Sequence, residues 1–157
     1  IAGDYGTGNG YYDTLLKLVN ESGLKENIRF LGLLSEEDLI KKYHESDIFL
    51  FPNHLQSWGL AVFEAIATGL PVIVSKSAGA SEVLTHKRYA FIVNPKSPHE
   101  IAEAIKTLAG NQNLYSALST SGRKLVEADI SWIKLTEQMQ KIFKSETMKY
   151  EKISRKY

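Results

Sequence analysis

A helix enclosed by two short apolar runs constrains the fold of this 157-residue chain more than any other feature. The runs at 47–51 and 71–75 have the length and apolar content of buried strands. Gly59 frees the backbone where the helix begins, while Gly69 followed by Pro71 provides a left-handed cap and blocks further helix. The segment therefore predicts a strand, a loop, a helix and a second strand.

Glu64 stands out in this helix because its neighbours in the sequence are almost all apolar. We expect its side chain to be buried, and a buried carboxylate rarely lacks a partner. The residues one turn away on either side, Ala61 and Thr68, are small and leave room for a ligand. The alternative is a structural role, in which Glu64 pairs with an Arg or a Lys in the core.

The start of the same helix is a candidate phosphate site. It follows the carboxyl end of a strand, where open α/β sheets bind ligands, and the N–H groups and positive dipole end of a helix start attract anions. Glu64 lies five residues beyond Gly59, or roughly 7 Å along the axis. We therefore expect a nucleoside diphosphate on the amides of Gly59, Leu60 and Ala61, with its ribose hydroxyls at Glu64.

The composition favours a single cytoplasmic domain. Nineteen basic and eighteen acidic residues leave a net charge of +1, which does not favour nucleic acid as a partner. The chain has no cysteine, which excludes disulfides and cysteine-metal sites and agrees with a reducing compartment. No apolar run approaches the roughly 18 residues of a membrane span. The first residues do not resemble a signal peptide and look like the tail of a strand, so we expect a piece of a longer protein.

The rest of the chain alternates strands and helices, which predicts an α/β, Rossmann-like fold with a parallel sheet and helices on both faces. Residues 145–157 are mostly polar and more basic than acidic, and they predict a frayed tail. A weak contact with an anionic membrane is the alternative for this tail. The expected helices are at 11–22, after Ser35, at 101–108, at 112–128 and at 131–144, and the further strands are at 28–32 and 90–95.

Three further features have less specific interpretations. The glycine-rich loop at 3–10 lacks the spacing of a dinucleotide fingerprint, so we expect a permissive loop. His54 follows a strand beside the proposed site, where the roles of base, ligand and bystander are all open. The other histidines have no metal-ligand spacing with His54, and we expect no metal site. Trp58 is either core packing or a wall of the site, and packing is favoured.

Residues 56–71 closely resemble the E-x7-E segment of retaining glycosyltransferases of the GT-B fold, a group that includes glycogen synthase and bacterial mannosyl- and glucosyltransferases. The family pattern is usually written E-x-F-G-x-x-x-x-E-A-x-A-x-G-x-P-V. Trp58 takes the aromatic position, and Gln56 stands in place of the first Glu. The matching residues are Gly59, Glu64, Ala65, Ala67, Gly69, Pro71 and Val72.

The resemblance implies donor-binding roles for these residues. In the family the second Glu holds the donor ribose, and it corresponds to Glu64. The Gly and the amides after it hold the diphosphate and the sugar, which implies the same for Gly59, Leu60 and Ala61. His54 is a further donor-binding candidate because of its position in front of this segment.

Other matches to the family pattern are less complete. The first Glu touches the donor sugar in the family, so Gln56 implies a changed sugar contact. The turn that contains Gly32 and Leu34 corresponds to the one that receives the nucleobase. Residues 78–82 resemble a G-G-x-x-E turn in which Ala78 replaces the first Gly.

For the whole protein, the resemblance implies that residues 1–144 are the C-terminal, donor-binding half of a GT-B enzyme and that 145–157 are a basic polar tail. The enzyme would transfer a sugar from a nucleoside-diphosphate sugar to a hydroxyl of a glycan, a lipid or a small molecule, with retained configuration. An N-terminal domain would bind the acceptor, so this chain alone would be inactive. The resemblance implies no cofactor and no metal. We expect a cytoplasmic location, and peripheral contact with the inner face of the membrane is the alternative that goes with the basic tail.

Two other functions remain open at this point. One is a noncatalytic module that binds a nucleotide sugar, which Gln56 keeps open. The other is a Rossmann oxidoreductase, which Gly59 with Glu64 disfavours, because such an enzyme needs a glycine fingerprint after its first strand and an acidic residue about 20 positions later.

Overall fold

The computed structural model describes residues 1–4, 10–54, 58–130 and 132–154. These residues belong to two compact units, Ile1–Glu45 and Ser46–Tyr157. Gln56 lies outside the described residues, as does the middle of the glycine-rich loop at 3–10.

The first unit contains two helices, α1 (Gly10–Glu21) and α2 (Glu36–Glu45). α1 is the helix predicted at 11–22, and its half-buried side chains are the apolar ones at helical spacing. α2 begins as predicted at Ser35, whose Oγ accepts a hydrogen bond from the N–H of Asp38 at 3.1 Å and donates one to the Asp38 carboxylate at 2.8 Å. Both helix predictions for this unit are therefore confirmed.

The regular strand predicted at 28–32 is wrong. Ala2 and Gly32 form a single parallel bridge, in which the N–H of Gly3 donates to the carbonyl of Gly32 at 2.9 Å. A ladder needs successive paired residues on both segments, and pairing stops at Gly3, whose φ of 144° departs from strand geometry. The apolar residues of 28–32 are therefore extended next to residues 1–3 without forming a strand.

The second unit is built on a parallel sheet, which in the described part of the chain has three strands: β1 (Phe49–Phe51), β2 (Val72–Ser75) and β3 (Phe91–Val93). Their order is β1-β2-β3. All four residues of β2 are buried. Because successive side chains of a strand point to opposite faces, β2 is covered on both faces. The predicted Rossmann-like arrangement is confirmed.

The helices of the second unit are α3 (Leu60–Ala67), a short 3-10 helix (Gly79–Glu82), α4 (Pro98–Gly110), α5 (Gln112–Asp129) and α6 (Trp132–Ser154). α3 contacts β1, β2 and α5, and α4 contacts β2, β3 and α5. Ser97 caps α4, since its Oγ accepts a hydrogen bond from the N–H of Glu100 at 3.3 Å. A core cluster joins the sheet to α4 and α5 and consists of Ile73, Phe91, Val93, Ala104, Leu108 and Leu118.

α3 ends as the sequence predicts. Gly69 has a left-handed φ of 84°, and the N–H of Leu70 donates back to the carbonyl of Ala65 at 3.1 Å. This bond is the six-to-one pairing that closes a helix with a glycine cap. Pro71 then prevents further helix and leads the chain into β2.

α6 is longer than predicted. The helix expected to end near Lys144 continues to Ser154, so much of the predicted tail at 145–157 is helical. This stretch contains no glycine or proline that would stop a helix. The hydroxyls of Ser145 and Thr147 donate to the carbonyls of Ile142 and Phe143, one turn earlier in the same helix. Among the residues that the structure describes, no helix is both long and apolar enough to cross a membrane.

Candidate functional site

The candidate site lies at the carboxyl edge of the sheet, where β1 and β2 end. β1 ends at Phe51 and β2 at Ser75, and their parallel pairing brings these ends to the same edge. After β1 the chain passes His54, whose side chain is exposed, and enters α3 at Leu60. Ligands of open α/β sheets bind at this edge, so α3 begins where a ligand is expected.

Gly59 determines how α3 begins. Its φ of 99° and ψ of 60° are left-handed, a conformation that other residues rarely adopt. A Cβ on Gly59 would lie 3.1 Å from Cε1 of Phe51. The backbone angle and the close approach both require glycine here. The first-turn N–H groups of α3, which include those of Leu60 and Ala61, are thereby directed at the carboxyl edge.

A turn after β2 supports the start of α3. The N–H of Ala80, within the 3-10 helix Gly79–Glu82, donates to the carbonyl of Trp58 at 2.8 Å. The same turn is held internally, because the buried Oγ of Ser75 accepts a hydrogen bond from the N–H of Ser77 at 3.0 Å. The segment that resembles the G-G-x-x-E turn therefore contacts the residue directly before Gly59.

Trp58 packs on α3 and also faces solvent. Its ring lies 5.5 Å from the ring of the buried Phe63, with 34° between the planes, so it packs on α3 without belonging to the core. The side chain is nevertheless 41% exposed at the site. The structure therefore leaves room for its second predicted role as a wall of the site.

Glu64 is exposed, so the expected burial of its side chain is wrong. α3 buries Val62, Phe63, Ala65 and Ile66, and Glu64 lies on its opposite, exposed side. The physical reason is helical periodicity, because residues adjacent in sequence point in directions about 100° apart. An exposed carboxylate does not neutralise a charge deep in the core, which argues against the structural alternative. The position of Glu64 along α3, roughly 7 Å beyond Gly59, remains as expected.

Lys76 is a residue of this edge that sequence reasoning missed. It follows β2 immediately, and its backbone N–H donates to the carbonyl of Val93 at 2.9 Å. Its side chain is exposed. An exposed ammonium group that follows β2 at the carboxyl edge suits an anionic ligand such as a phosphate. The available signal was its position directly after a buried strand, the same argument that selected His54.

The remaining candidates belong to the other unit or to residues that the structure does not describe. Gly32 and Leu34 belong to the first unit, where Gly32 has a left-handed φ of 70°. Gln56 lies outside the described residues. Their proposed contacts with the nucleobase and the sugar stay predictions.

Within residues 1–4, 10–54, 58–130 and 132–154, no three His, Asp or Glu residues are placed to hold a metal ion. His54 is not part of any such group in these ranges, and its role at the site stays a prediction. The groups of this edge that suit an anionic ligand are the first-turn N–H groups of α3 and the exposed ammonium of Lys76, and Glu64 adds an exposed carboxylate further along α3.

The family model described as glycosyl transferases group 1 matches residues 1–125. The chain belongs to the group 1 glycosyltransferases. One relative is a GDP-mannose-dependent alpha-(1-6)-phosphatidylinositol monomannoside mannosyltransferase of Mycobacterium tuberculosis. This group 1 chain is 27% identical to it over 139 residues, and the match covers 84% of the chain and 36% of that protein. It is 31% identical, over 146 residues, to the GDP-mannose-dependent monoacylated alpha-(1-6)-phosphatidylinositol monomannoside mannosyltransferase of Corynebacterium glutamicum, covering 88% and 38%. The chain thus spans little more than a third of either relative.

Solved structures agree with this membership. Anabaena HepE in complex with UDP matches with a TM-score of 0.83 and 20% identity, over 92% of this chain and 40% of that one. HepE in complex with UDP-glucose gives a TM-score of 0.82 and 21% identity. Likeness at this level of identity shows the fold. The predicted assignment as the C-terminal domain of a GT-B glycosyltransferase is confirmed.

Proposed function

We propose that this group 1 glycosyltransferase domain binds a nucleoside-diphosphate sugar at the carboxyl edge of its sheet. The observation that carries the proposal is the start of α3, where the left-handed Gly59 directs first-turn N–H groups at that edge. The diphosphate binds there and Lys76 adds a positive charge. Glu64, further along the exposed side of α3, accepts hydrogen bonds from the ribose hydroxyls.

We further propose that the complete protein transfers the sugar to an acceptor hydroxyl with retained configuration. The chemistry needs the charge of the departing diphosphate to be stabilised, and oriented N–H groups with Lys76 supply that stabilisation. A pair of carboxylates that flanks the scissile bond, as in glycosidases, is not required. We propose that neither a metal nor another cofactor takes part. The acceptor is a glycan, a lipid or a small molecule and is bound by an N-terminal domain of the same protein.

The identity of the donor base is tested with the nucleotides that are named for similar proteins. Two relatives are named as GDP-mannose-dependent enzymes, and HepE was solved with UDP-glucose. Isothermal titration calorimetry of the chain with UDP and GDP, each compared with the nucleoside monophosphate, tests the proposal. We expect one diphosphate to bind more tightly than its monophosphate, because the second phosphate gains the helix N–H groups. Equal affinity for the two would contradict a diphosphate site at α3.

The second candidate function is a noncatalytic module that holds a nucleotide sugar without transferring it. Gln56 favours it, because a neutral amide stands where the family pattern has the carboxylate that touches the sugar. Gln56→Glu in the complete protein should change the preference for the donor sugar and leave the affinity for the free diphosphate nearly unchanged. Calorimetry with the diphosphate and with two of its sugars measures both quantities. An equal loss of both affinities would mean that position 56 has a structural role.

We propose a cytoplasmic location at the inner face of the membrane. Both mannosyltransferase relatives are named for phosphatidylinositol-based acceptors, which are lipids. A lipid acceptor for this protein would require its site to work next to a bilayer.

A further inference from the structure

A cleft between the end of α3 and α5 is a second candidate binding site in the second unit. Its volume is about 370 Å³, and small-molecule sites range from about 300 to 1,000 Å³. One wall is the end of α3 at Thr68 and Gly69. The other wall is one face of α5, whose residues follow the helical spacing of three and four positions: Thr120, Arg123, Lys124 and Glu127. The cleft therefore brings together hydroxyls, two cations and a carboxylate.

This cleft is separate from the donor site at the other end of α3. Gly69 comes ten residues after Gly59, which is roughly 15 Å along the helix axis. It also comes three residues before β2, whereas the donor site lies where β2 ends. The cleft therefore lies toward the amino edge of the sheet, and the donor assignment makes no use of it.

Hydrogen-bond acceptors at the end of α3 are already used within the protein. The carbonyl of Ala65 accepts from the Thr68 hydroxyl at 2.7 Å and from the N–H of Leu70 at 3.1 Å. The carbonyl of Gly69 accepts from the Oγ of Ser119 at 2.6 Å. Because these two carbonyls are occupied without a ligand, this wall of the cleft does not favour a cationic ligand.

The donors on the α5 face are not used in this way. Within the part of the chain that the structure describes, the side chains of Thr120 and Lys124 make no hydrogen bond or ion pair. Nε of Arg123 donates to the Glu127 carboxylate at 2.9 Å, which leaves the terminal N–H groups of the guanidinium for a ligand. The groups of this face that a ligand can use are therefore mainly donors, and two of them are charged.

We propose that this cleft binds a small phosphorylated molecule, in addition to the sugar donor bound elsewhere. The Thr120 hydroxyl and the cationic groups of Arg123 and Lys124 donate to the phosphate, which has three strong acceptor oxygens. The two cations exceed the single carboxylate of Glu127, so the cleft has a net charge of +1. The side chains of Arg123 and Glu127 are 58% and 62% exposed, and we therefore expect weak binding, at the millimolar level.

Nuclear magnetic resonance of the chain titrated with glycerol 3-phosphate tests the proposal. The backbone amide signals of 68–69 and 119–124 should shift along a saturable curve, whereas glycerol or sodium chloride at matched concentration should leave them in place. Lys124→Gln and Thr120→Ala should each weaken binding by about twofold to fivefold, because each removes one donor at an exposed site. Lys124→Arg keeps the positive charge and should retain binding.

Glu127→Gln tests the direction of the charge effect. This change removes the carboxylate that competes for Arg123, so binding should become about twofold to fivefold tighter. Lys106→Gln on α4 is the matched control, because it removes the same charge from another exposed lysine, and it should leave the affinity unchanged. Lys76→Gln distinguishes the cleft from the carboxyl edge, since it should not change the response of 68–69 and 119–124.

Three outcomes would overturn the proposal. The first is the absence of saturable shifts at 68–69 and 119–124. The second is an equal loss of affinity in Lys124→Gln and Lys106→Gln, which would mean a response to the charge of the whole chain. The third is a loss of the response in Lys76→Gln, which would place the phosphate at the carboxyl edge. Thermal denaturation of each variant shows whether the fold persists.

Discussion

At the scale of single residues, the backbone of Gly59 is the feature on which the donor-site proposal depends most. Its left-handed angles set the direction in which α3 begins, and a Cβ at this position would lie 3.1 Å from Cε1 of Phe51. Gly69 has a similar left-handed φ of 84° at the other end of the same helix. The two glycines carry comparable backbone constraints, but only Gly59 lies at the carboxyl edge of the sheet.

We predict that Gly59→Ala and Gly69→Ala both destabilise the fold, each by about 1–2 kcal/mol, because a Cβ is strained in left-handed backbone. Only Gly59→Ala should also lower the affinity for a nucleoside diphosphate. Thermal denaturation and calorimetry on the same preparations measure the two effects. Equal losses of affinity in both variants would mean that the N–H groups at the start of α3 do not bind the phosphates.

The sequence predicted the ends of α3 but not the exposure of Glu64. Glycine and proline act locally, so Gly59, Gly69 and Pro71 were sufficient to place the ends. Burial of a side chain depends on which side of the helix packs on the sheet. Because the residues around Glu64 are almost all apolar, the sequence does not indicate which side of α3 that is. Lys76 was missed because a single lysine after a strand carries no specific pattern of its own.

At the scale of elements, the contact between α3 and α5 positions the helix that carries the site. Gly122 of α5 lies so close to α3 that a Cβ would be 3.0 Å from Cγ2 of the buried Ile66 and 3.4 Å from the carbonyl of Tyr89. The Oγ of Ser119 donates to the carbonyl of Gly69 at 2.6 Å, next to the end of α3. α5 therefore fixes α3 through a close helix contact and a hydrogen bond.

Gly122→Ala should destabilise the protein by about 1 kcal/mol. Alanine gains about 1 kcal/mol of helix propensity, but overpacking against a buried neighbour costs typically about 1–3 kcal/mol. Gly110→Ala is the control, because a Cβ there meets nothing within 4 Å, and it should be neutral or slightly stabilising. Urea denaturation measures both. A stabilised Gly122→Ala would show that the two helices are not held at this distance.

A tyrosine of α5, Tyr115, leads us to predict that the stability of the fold falls at alkaline pH. Burial, and secondarily the negative charge of Asp47, raises the pKa of Tyr115 above its ordinary value of 10.0. A group whose pKa is raised by folding contributes stability that is complete below its unfolded pKa and is lost as pH rises through the folded one. Stability should therefore fall above about pH 10, and Tyr115→Phe should reduce this fall. Denaturation curves at neutral and alkaline pH test it, and an unchanged alkaline slope in Tyr115→Phe would contradict it.

At the scale of the whole molecule, the alternation of strands and helices predicted the parallel sheet, and the resemblance of residues 56–71 to the family motif implied the GT-B half. The strand at 28–32 and the end of the last helix were predicted wrongly for different reasons. A short apolar run can predict a strand, but it does not show whether a second segment lies beside it that is long enough to form a ladder. The polar composition of 145–154 indicated a segment that is not buried, and we took it for a frayed tail. A helix can nevertheless continue through polar residues where no glycine or proline stops it, as it does here.

We predict that the chain alone binds a nucleoside diphosphate but does not transfer a sugar. The chain spans 36% of the Mycobacterium tuberculosis relative, and the proposed acceptor site belongs to another part of the complete protein. Release of diphosphate from a nucleotide sugar in the presence of acceptor, compared between the chain and the complete protein, measures this. Transfer by the chain alone would contradict the division of donor and acceptor between two domains.

The most direct test of the donor assignment is calorimetry on Glu64→Gln with the preferred nucleoside diphosphate. Hydrogen bonds to a charged group contribute about 1.5–3 kcal/mol, so affinity should fall roughly tenfold to hundredfold. Because Glu64 is exposed, the melting temperature should change little. Glu103→Gln is the matched control, since it removes the same charge from an exposed carboxylate that pairs with Lys106. Unchanged affinity in Glu64→Gln, with or without a lower melting temperature, would contradict the ribose contact and with it the proposed donor site.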